Sequence, residues 1–419
     1  MTLFSSRSGD VALKEKYDIV VCGGGIAGTA AALAAARQGR KVLLVEKQSI
    51  VGGLATAGLI YIYLPVSDDG GHIIAGGITA ELLRRCPEYG PFDFPPQWGG
   101  PSGGDPGCDV RRCECCFSPA GFALTLEKML READVDLRLE TTLIGAACDS
   151  SNRVTSIELF CGAERIDVSA DCFVDASGGA YLLRLAGAQV FGELNYHNPW
   201  AMEMAPGAVG NYYLTGGLQV KVMRPPEEFE PMQQVLSAGE INEFLRRQYI
   251  AIRRRYDELP PDERKKIYPV HLPAMPQLRK IARIKGKTPI LPGEAGAAKA
   301  DSIGVAADWR SISDPAWETP YGALLPETVR GILAAGRCID AADDAWEIFR
   351  VIPAAAMTGE AAGTAAAMAS ERGIDPADLP VSELQKKLKQ NGVILHIADG
   401  QEASGTFIGE KLGRTPSGQ

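Results

Sequence analysis

Between Cys22 and Lys47 the chain reads CGGGIAGTAAALAAARQGRKVLLVEK, and few folds accommodate that order of residues. The β-branched, apolar run at residues 17–21 suits a strand, while the alanine-rich segment behind the glycines is comfortable only as a helix. The pattern predicts a strand over 17–21, a helix over 26–38, a turn at Gly39 and a second strand over 41–45 that ends in Glu46. The glycines then lie in a strand-to-helix turn, and the βαβ unit opens a doubly wound α/β sheet.

Gly23, Gly25 and Gly28 satisfy the GxGxxG spacing of a dinucleotide turn. In such a turn the first glycine allows the tight bend, the second lets backbone N–H groups approach a pyrophosphate, and the third permits close packing of helix on strand. The positive end of the helix offsets the phosphate charge. Glu46 stands where a carboxylate accepts both ribose hydroxyls and repels a 2′-phosphate, which disfavours NADP. Choosing between NAD and FAD needs features outside the fingerprint.

The Gly- and Pro-rich region 68–107 is too irregular for sheet core. Beyond it the pattern predicts a helix over 120–132, strands over 136–139 and 141–147, a hairpin of 154–159 with 164–168, and a buried strand over 171–176 delivering the turn Ser177, Gly178, Gly179. Residues 191–292 are aromatic and Pro-rich, with amphipathic stretches over 231–256, and read as a separate substrate domain. A strand over 331–335, the turn Gly336-Arg337 and a helix from Pro353 to about Arg372 return to the earlier style, and the tail after Ile397 is expected to fray.

The formal charge of -9 and the pI near 5.2 argue against nucleic-acid binding, which needs a surplus of Lys and Arg on the contact face. The basic clusters at 253–255 and 264–266 read as solvated helix faces. No export signal opens the sequence and no apolar run is long enough to cross a bilayer, so a cytoplasmic location is expected, with the 10 cysteines largely reduced.

Five stretches beyond the fingerprint carry a resemblance: GGLATAG at 52–58, FVDASGG at 173–179, ADSIGVAADWR at 300–310, YGALLPETVRGILAAGRC at 321–338, and FRVIPAAAMTGEAAGTAAAMA at 349–369. With the opening segment they resemble the FAD-dependent oxidoreductases that have a glutathione-reductase-like (GR2-type) flavin domain. The resemblance implies a Rossmann-like FAD-binding domain from 14–75, 118–190 and 300–375, an inserted α+β substrate or cap domain from 76–117 and 191–299, and a C-terminal segment at 376–419.

Carried over residue by residue, it implies that Gly23, Gly25, Ile26, Ala27 and Gly28 lie along the FAD pyrophosphate, with Glu46 and Lys47 at the ribose. Gly53, Leu54 and Thr56 would stand near the junction of phosphate and flavin, and Leu143 with Ala176, Ser177 and Gly178 beside the adenine half. Gly336 and Arg337 would pass the ribityl chain. Arg350, Val351 and Ile352, ahead of Pro353, would present the positive end of a helix to the flavin N1 and C2 carbonyl. Gly179 departs from the family, which usually has an acid there.

No second GxGxxG stands in a βαβ context, so a dedicated nicotinamide domain is not expected, and electrons would pass directly between flavin and a small-molecule substrate. Oxygen or an external acceptor would take them up. The expected reaction moves a hydride between flavin N5 and an alcohol, an amine or a carbon–carbon bond. The alternatives are an ene-reductase or fumarate-reductase-like catalyst, and a non-catalytic flavoprotein subunit relaying electrons to a partner. Such an oxidation needs a group to take the proton, and His271 is the first candidate, followed by His72 and His197; His396 reads as a surface residue. Arg279 and Arg283 are candidates for a substrate carboxylate, with solvated charges slightly preferred. The cluster Cys108, Cys113, Cys115 and Cys116 matches no standard ligand spacing, so reduced thiols are expected there in place of a metal centre.

Overall fold

The computed structural model describes residues 13–68, 72–93, 114–195, 198–207, 213–224, 226–227, 229–232, 235–310 and 315–402. Its main sheet has seven strands. From one edge run Asp136–Arg138, Val42–Val45, Leu13–Cys22 and Glu164–Asp175, all parallel. Glu164–Asp175 is the pivot. Along its first half Val154–Cys161 pairs with it antiparallel and Thr141–Cys148 follows, whereas its last three residues pair in parallel with Ile332–Ala334.

The sequence reading splits this pivot into two strands, at 164–168 and 171–176. The structure makes it one strand, because Leu13–Cys22 pairs with it from Leu13↔Ile166 to Cys22↔Asp175 and supplies the ladder through Ser169 and Ala170. Tertiary pairing overrides the weak local signal of that small polar pair.

Two alanine-rich helices, Ile26–Ala36 and Ile352–Arg372, lie side by side against this sheet. Their contact is close because its residues are small. A Cβ added to Gly359 would stand 2.2 Å from the Ala27 carbonyl oxygen, and one added to Gly363 would stand 2.1 Å from that of Ala31. Burial all round both helices accounts for their lack of an amphipathic pattern.

A second, antiparallel sheet orders Tyr213–Thr215, Leu218–Val222, Trp200–Met204 and Tyr268–His271. Next to it in sequence is the helix Ala238–Asp257, which starts with a capping box: Ser237 Oγ accepts from Glu240 N–H at 3.2 Å, and Glu240 Oε2 accepts from Ser237 N–H at 2.7 Å. Phe244, Gln248, Ala251 and Ile252 form its buried stripe. Gln277 ties the second sheet to the loop at Gly58, its Nε2 donating to Gly58 O at 2.6 Å and Trp200 O at 3.0 Å while its Oε1 accepts from Trp200 N–H at 2.7 Å.

Candidate functional site

The turn between Leu13–Cys22 and Ile26–Ala36 is built by its glycines. Gly23 has φ +106°, and a Cβ there would stand 2.6 Å from the Ala176 carbonyl oxygen. A Cβ on Gly28 would lie 1.8 Å from Gly23 O, so only glycine lets the helix begin this close to the strand. Gly25 differs: a Cβ there would meet nothing within 4 Å, because this glycine faces an open cleft.

Glu46 ends its strand buried and fixed. Its Oε2 accepts from Gly24 N–H at 2.7 Å and its Oε1 from Gln48 N–H at 2.9 Å. Burial raises its pKa, and these hydrogen bonds oppose the rise. Asp175 locks the facing turn in the same way: Oδ1 accepts from Ser177 N–H at 3.0 Å and Ser177 Oγ at 2.6 Å, and Oδ2 from Leu183 N–H at 2.9 Å.

The cleft continues past Gly336, whose φ is +68° and whose N–H donates to Thr358 Oγ1 at 3.0 Å. It ends at Arg350 and Ile352, where the closing helix begins with Val351 as N-cap and Pro353 in its first turn. Arg350 is paired with Glu347 at 2.5 Å and lies over the Trp309 ring. Arg337 borders the cleft, its Nη1 donates to the Leu278 carbonyl, and burial lowers its pKa.

Of the residues singled out in the sequence, Gly23, Gly25, Ile26, Ala27, Glu46, Lys47, Gly53, Leu54, Ala176, Ser177, Gly178, Gly336, Arg337, Arg350 and Ile352 all line this one cleft. Leu143 lines an adjoining hollow of about 640 Å³ that shares Gly23, Glu46, Lys47 and Ser177 with it. Gly28, Thr56 and Val351 stand behind the surface; Thr56 Oγ1 donates to Val51 O at 2.5 Å and braces the Gly52 turn. Sequence reasoning missed Met275, Pro276, Leu278 and Ile281, which border the cleft opposite the glycines. That segment is irregular and carries no periodicity that could have placed it.

The histidines are dispersed. His271 is exposed on the edge strand Tyr268–His271 and is not among the cleft residues, so the structure does not bring this first candidate to the site. His72, likewise not among the cleft residues, is partly buried, with its Nδ1 2.9 Å from Oδ2 of buried Asp68. His197, Cys108 and Cys113 lie outside the described residues. His396, expected at the surface, is half-buried with Nδ1 3.0 Å from Glu318. Cys115 and Cys116 are buried as a short strand paired with Ile62–Tyr63, and among the described residues no cluster suited to a metal ion occurs.

Among the clustered basic residues, Arg253 and Arg254 are solvated as expected, but Arg255 reaches fully buried Glu203 at 3.4 Å. Arg283 is not a free anion binder either, being held by Asp340 at 2.5 Å and Glu193 at 3.5 Å.

The profile of the family described as FAD dependent oxidoreductase matches residues 18–264 and 297–388, well over half of the chain. This protein belongs to that family. As an FAD dependent oxidoreductase it is an enzyme whose cofactor is FAD, and its cleft fits that group: an open glycine turn for the pyrophosphate, a fixed carboxylate at the strand end for the ribose, and a helix N-terminus at the far end.

No curated protein sequence matches the chain. Among solved structures it is similar to a geranylgeranyl bacteriochlorophyll reductase-like protein from Thermoplasma acidophilum, at 14% identity over 95% of this chain and 98% of that one, with a TM-score of 0.42. An aromatic hydroxylase from angucycline biosynthesis is similar at 11% identity over 95% and 73%, TM-score 0.47. The 3-ketosteroid-Δ4-(5α)-dehydrogenase from Rhodococcus jostii RHA1 is similar at 13% identity over 87% and 99%, TM-score 0.39. Among the described residues no helix is long and apolar enough to cross a membrane.

Proposed function

We propose that this oxidoreductase moves a hydride between a small organic substrate, at an alcohol, an amine or a carbon–carbon bond, and FAD, with oxygen or an external acceptor closing the cycle. The observation that carries the reading is the course of the cleft. It runs from the glycine turn to the N-terminus of Ile352–Arg372, so a single dinucleotide held by the turn would bring its far end to the positive pole of that helix.

FAD supplies the two-electron carrier, and the chain supplies the remaining steps. The first turn of the closing helix would stabilise negative charge on a bound flavin. Met275, Pro276 and Leu278 give that side of the cleft an apolar wall.

The proton is assigned to His72. Asp68, buried beside its Nδ1, would hold the ring with Nδ1–H toward the carboxylate and Nε2 open to a proton, although His72 itself stands outside the cleft lining. The loop carrying His72 packs Ile74 against Val305, Ala307 and Ala316 and leads into Gly77–Arg85, whose Thr79 Oγ1 lies 3.5 Å from the Pro353 carbonyl in the closing helix.

Anaerobic mixing of the FAD-loaded enzyme with panels of alcohols, amines and saturated acids tests the reading. Bleaching of the flavin by one class supports it. A flavin that responds to dithionite and to no organic substrate would sink it, and would favour the electron-relay alternative.

A further inference from the structure

We infer that Ile241, on the helix Ala238–Asp257, holds the adenosine half of FAD, so that a residue from outside the main sheet and its turns helps to fix the cofactor. The inference goes beyond the hydride-transfer reading and does not depend on which substrate is oxidised. A dinucleotide held at the glycine turn and at the Glu46 carboxylate has two ends to accommodate. One follows the cleft past Gly336 to the start of Ile352–Arg372. The adenine, attached to the ribose at Glu46, leaves on the other side, where the hollow of about 640 Å³ begins.

Among the described residues six line both spaces: Gly23, Glu46, Lys47, Ser177, Tyr181 and Ile241. The first five stand at strand ends and turns of the main sheet or, for Tyr181, at the start of the short helix Tyr181–Leu185. Ile241 comes from the helix whose Ile252 packs with Ala201 and Met223 of the second sheet. Leu236 and Ala238 extend its wall along the hollow. The facing wall is apolar and open to water, with Ile144 37% and Leu185 47% exposed. A purine base has the flat apolar faces that would cover this surface, with Ile241 and Leu236 as the far wall.

The start of the helix is held in place before any ligand arrives. Arg184, which lines the hollow from the other side, donates from Nη2 to Leu236 O at 3.0 Å. Leu236 N–H donates to Glu240 Oε2 at 3.0 Å, and Ile241 N–H to Ser237 O at 3.0 Å. A β-branched side chain in a helix keeps one preferred χ1 rotamer, so Ile241 offers a wall that loses little freedom on binding.

The test uses ADP, the adenosine half without the flavin, as a competitor of FAD in a fluorescence titration of the apoprotein. Ile241→Ala should raise the Kd of FAD and the inhibition constant of ADP by the same factor, roughly five- to fifty-fold, and Ile241→Val by a smaller one. Tyr249→Ala, on an exposed position of the same helix, should leave both constants in place. In the wild-type apoprotein, ADP should slow amide hydrogen exchange over residues 239–243. ADP that does not compete, an ADP constant unmoved by Ile241→Ala, an equal loss in Tyr249→Ala, or unchanged exchange at 239–243 would each overturn the inference. The exchange measurement needs no variant, so it decides even if Ile241→Ala fails to fold. Because every readout is binding without turnover, failure of the hydride-transfer reading in the anaerobic assay remains a separate result.

Discussion

Glu360, inside the closing helix, accepts a hydrogen bond on Oε2 from the Ile78 backbone N–H at 2.8 Å, joining two helices whose residues are 282 apart in the chain. The carboxyl is 2% exposed, and burial pushes its pKa up to about 8 against a coulombic pull from Arg37. Between the unfolded value near 4.5 and 8 the folded state holds a proton that the unfolded state has released. Stability therefore falls as pH rises through that window, by at most about 5 kcal/mol at ~1.36 kcal/mol per pH unit. Glu360→Gln keeps an acceptor for Ile78 and removes the titration. Its Tm should exceed that of the wild type at pH 8 and match it more closely at pH 5; a parallel pair of Tm curves would refute the assignment.

Gly363 lets the two alanine-rich helices touch, since its Cβ would meet the Ala31 backbone. Alanine gains up to ~1 kcal/mol in helix propensity over glycine, but overpacking a rigid contact costs about 1–3 kcal/mol. The packing cost should win, so that Gly363→Ala lowers stability in a denaturant titration. Gly239→Ala is the control, because a Cβ at Gly239 has only Ser237 Oγ at 4.0 Å, and its stability should hold or rise slightly.

The nucleotide half was legible because its constraints are local. Gly23, Gly28 and Gly178 sit where only glycine fits, and each announces itself by spacing from a strand. What escaped depends on partners distant in sequence. Nothing near Arg283 reveals Asp340, and nothing near Arg255 reveals Glu203, so a pattern of clustered positive charge read as solvated where the fold had paired it. His271 was preferred because its segment leads back toward the flavin in the family the chain resembles, whereas the structure puts it, exposed, at the end of the edge strand Tyr268–His271 and outside the cleft lining. For His72 the one local signal was an Asp four residues before it, and only the fold of that loop brings the two together.

If Asp68 orients His72, replacing the acid should affect the proton step more than binding. Asp68→Asn should retain FAD and leave the apparent KM within about three-fold while kcat falls roughly hundred- to ten-thousand-fold, the range typical of a lost general base. His72→Ala should show a similar loss, and the double variant should add little to it. Independent, multiplicative losses would show that the two residues do not act as a unit.

Glu46 provides the sharpest check on the cofactor. Its two oxygens are each held by one backbone N–H, so the carboxylate keeps its position whether or not a ribose is present, and its remaining lone pairs are available to both hydroxyls. Glu46→Gln keeps the shape but replaces one acceptor by an amide donor, which also faces either Gly24 N–H or Gln48 N–H as a like partner. At about 1–3 kcal/mol for a buried polar group left unsatisfied, the Kd for FAD should rise roughly five- to hundred-fold. Fluorescence titration of the apoprotein with FAD measures this directly. An unchanged Kd with an unchanged fold would mean that the ribose does not lie against this strand end.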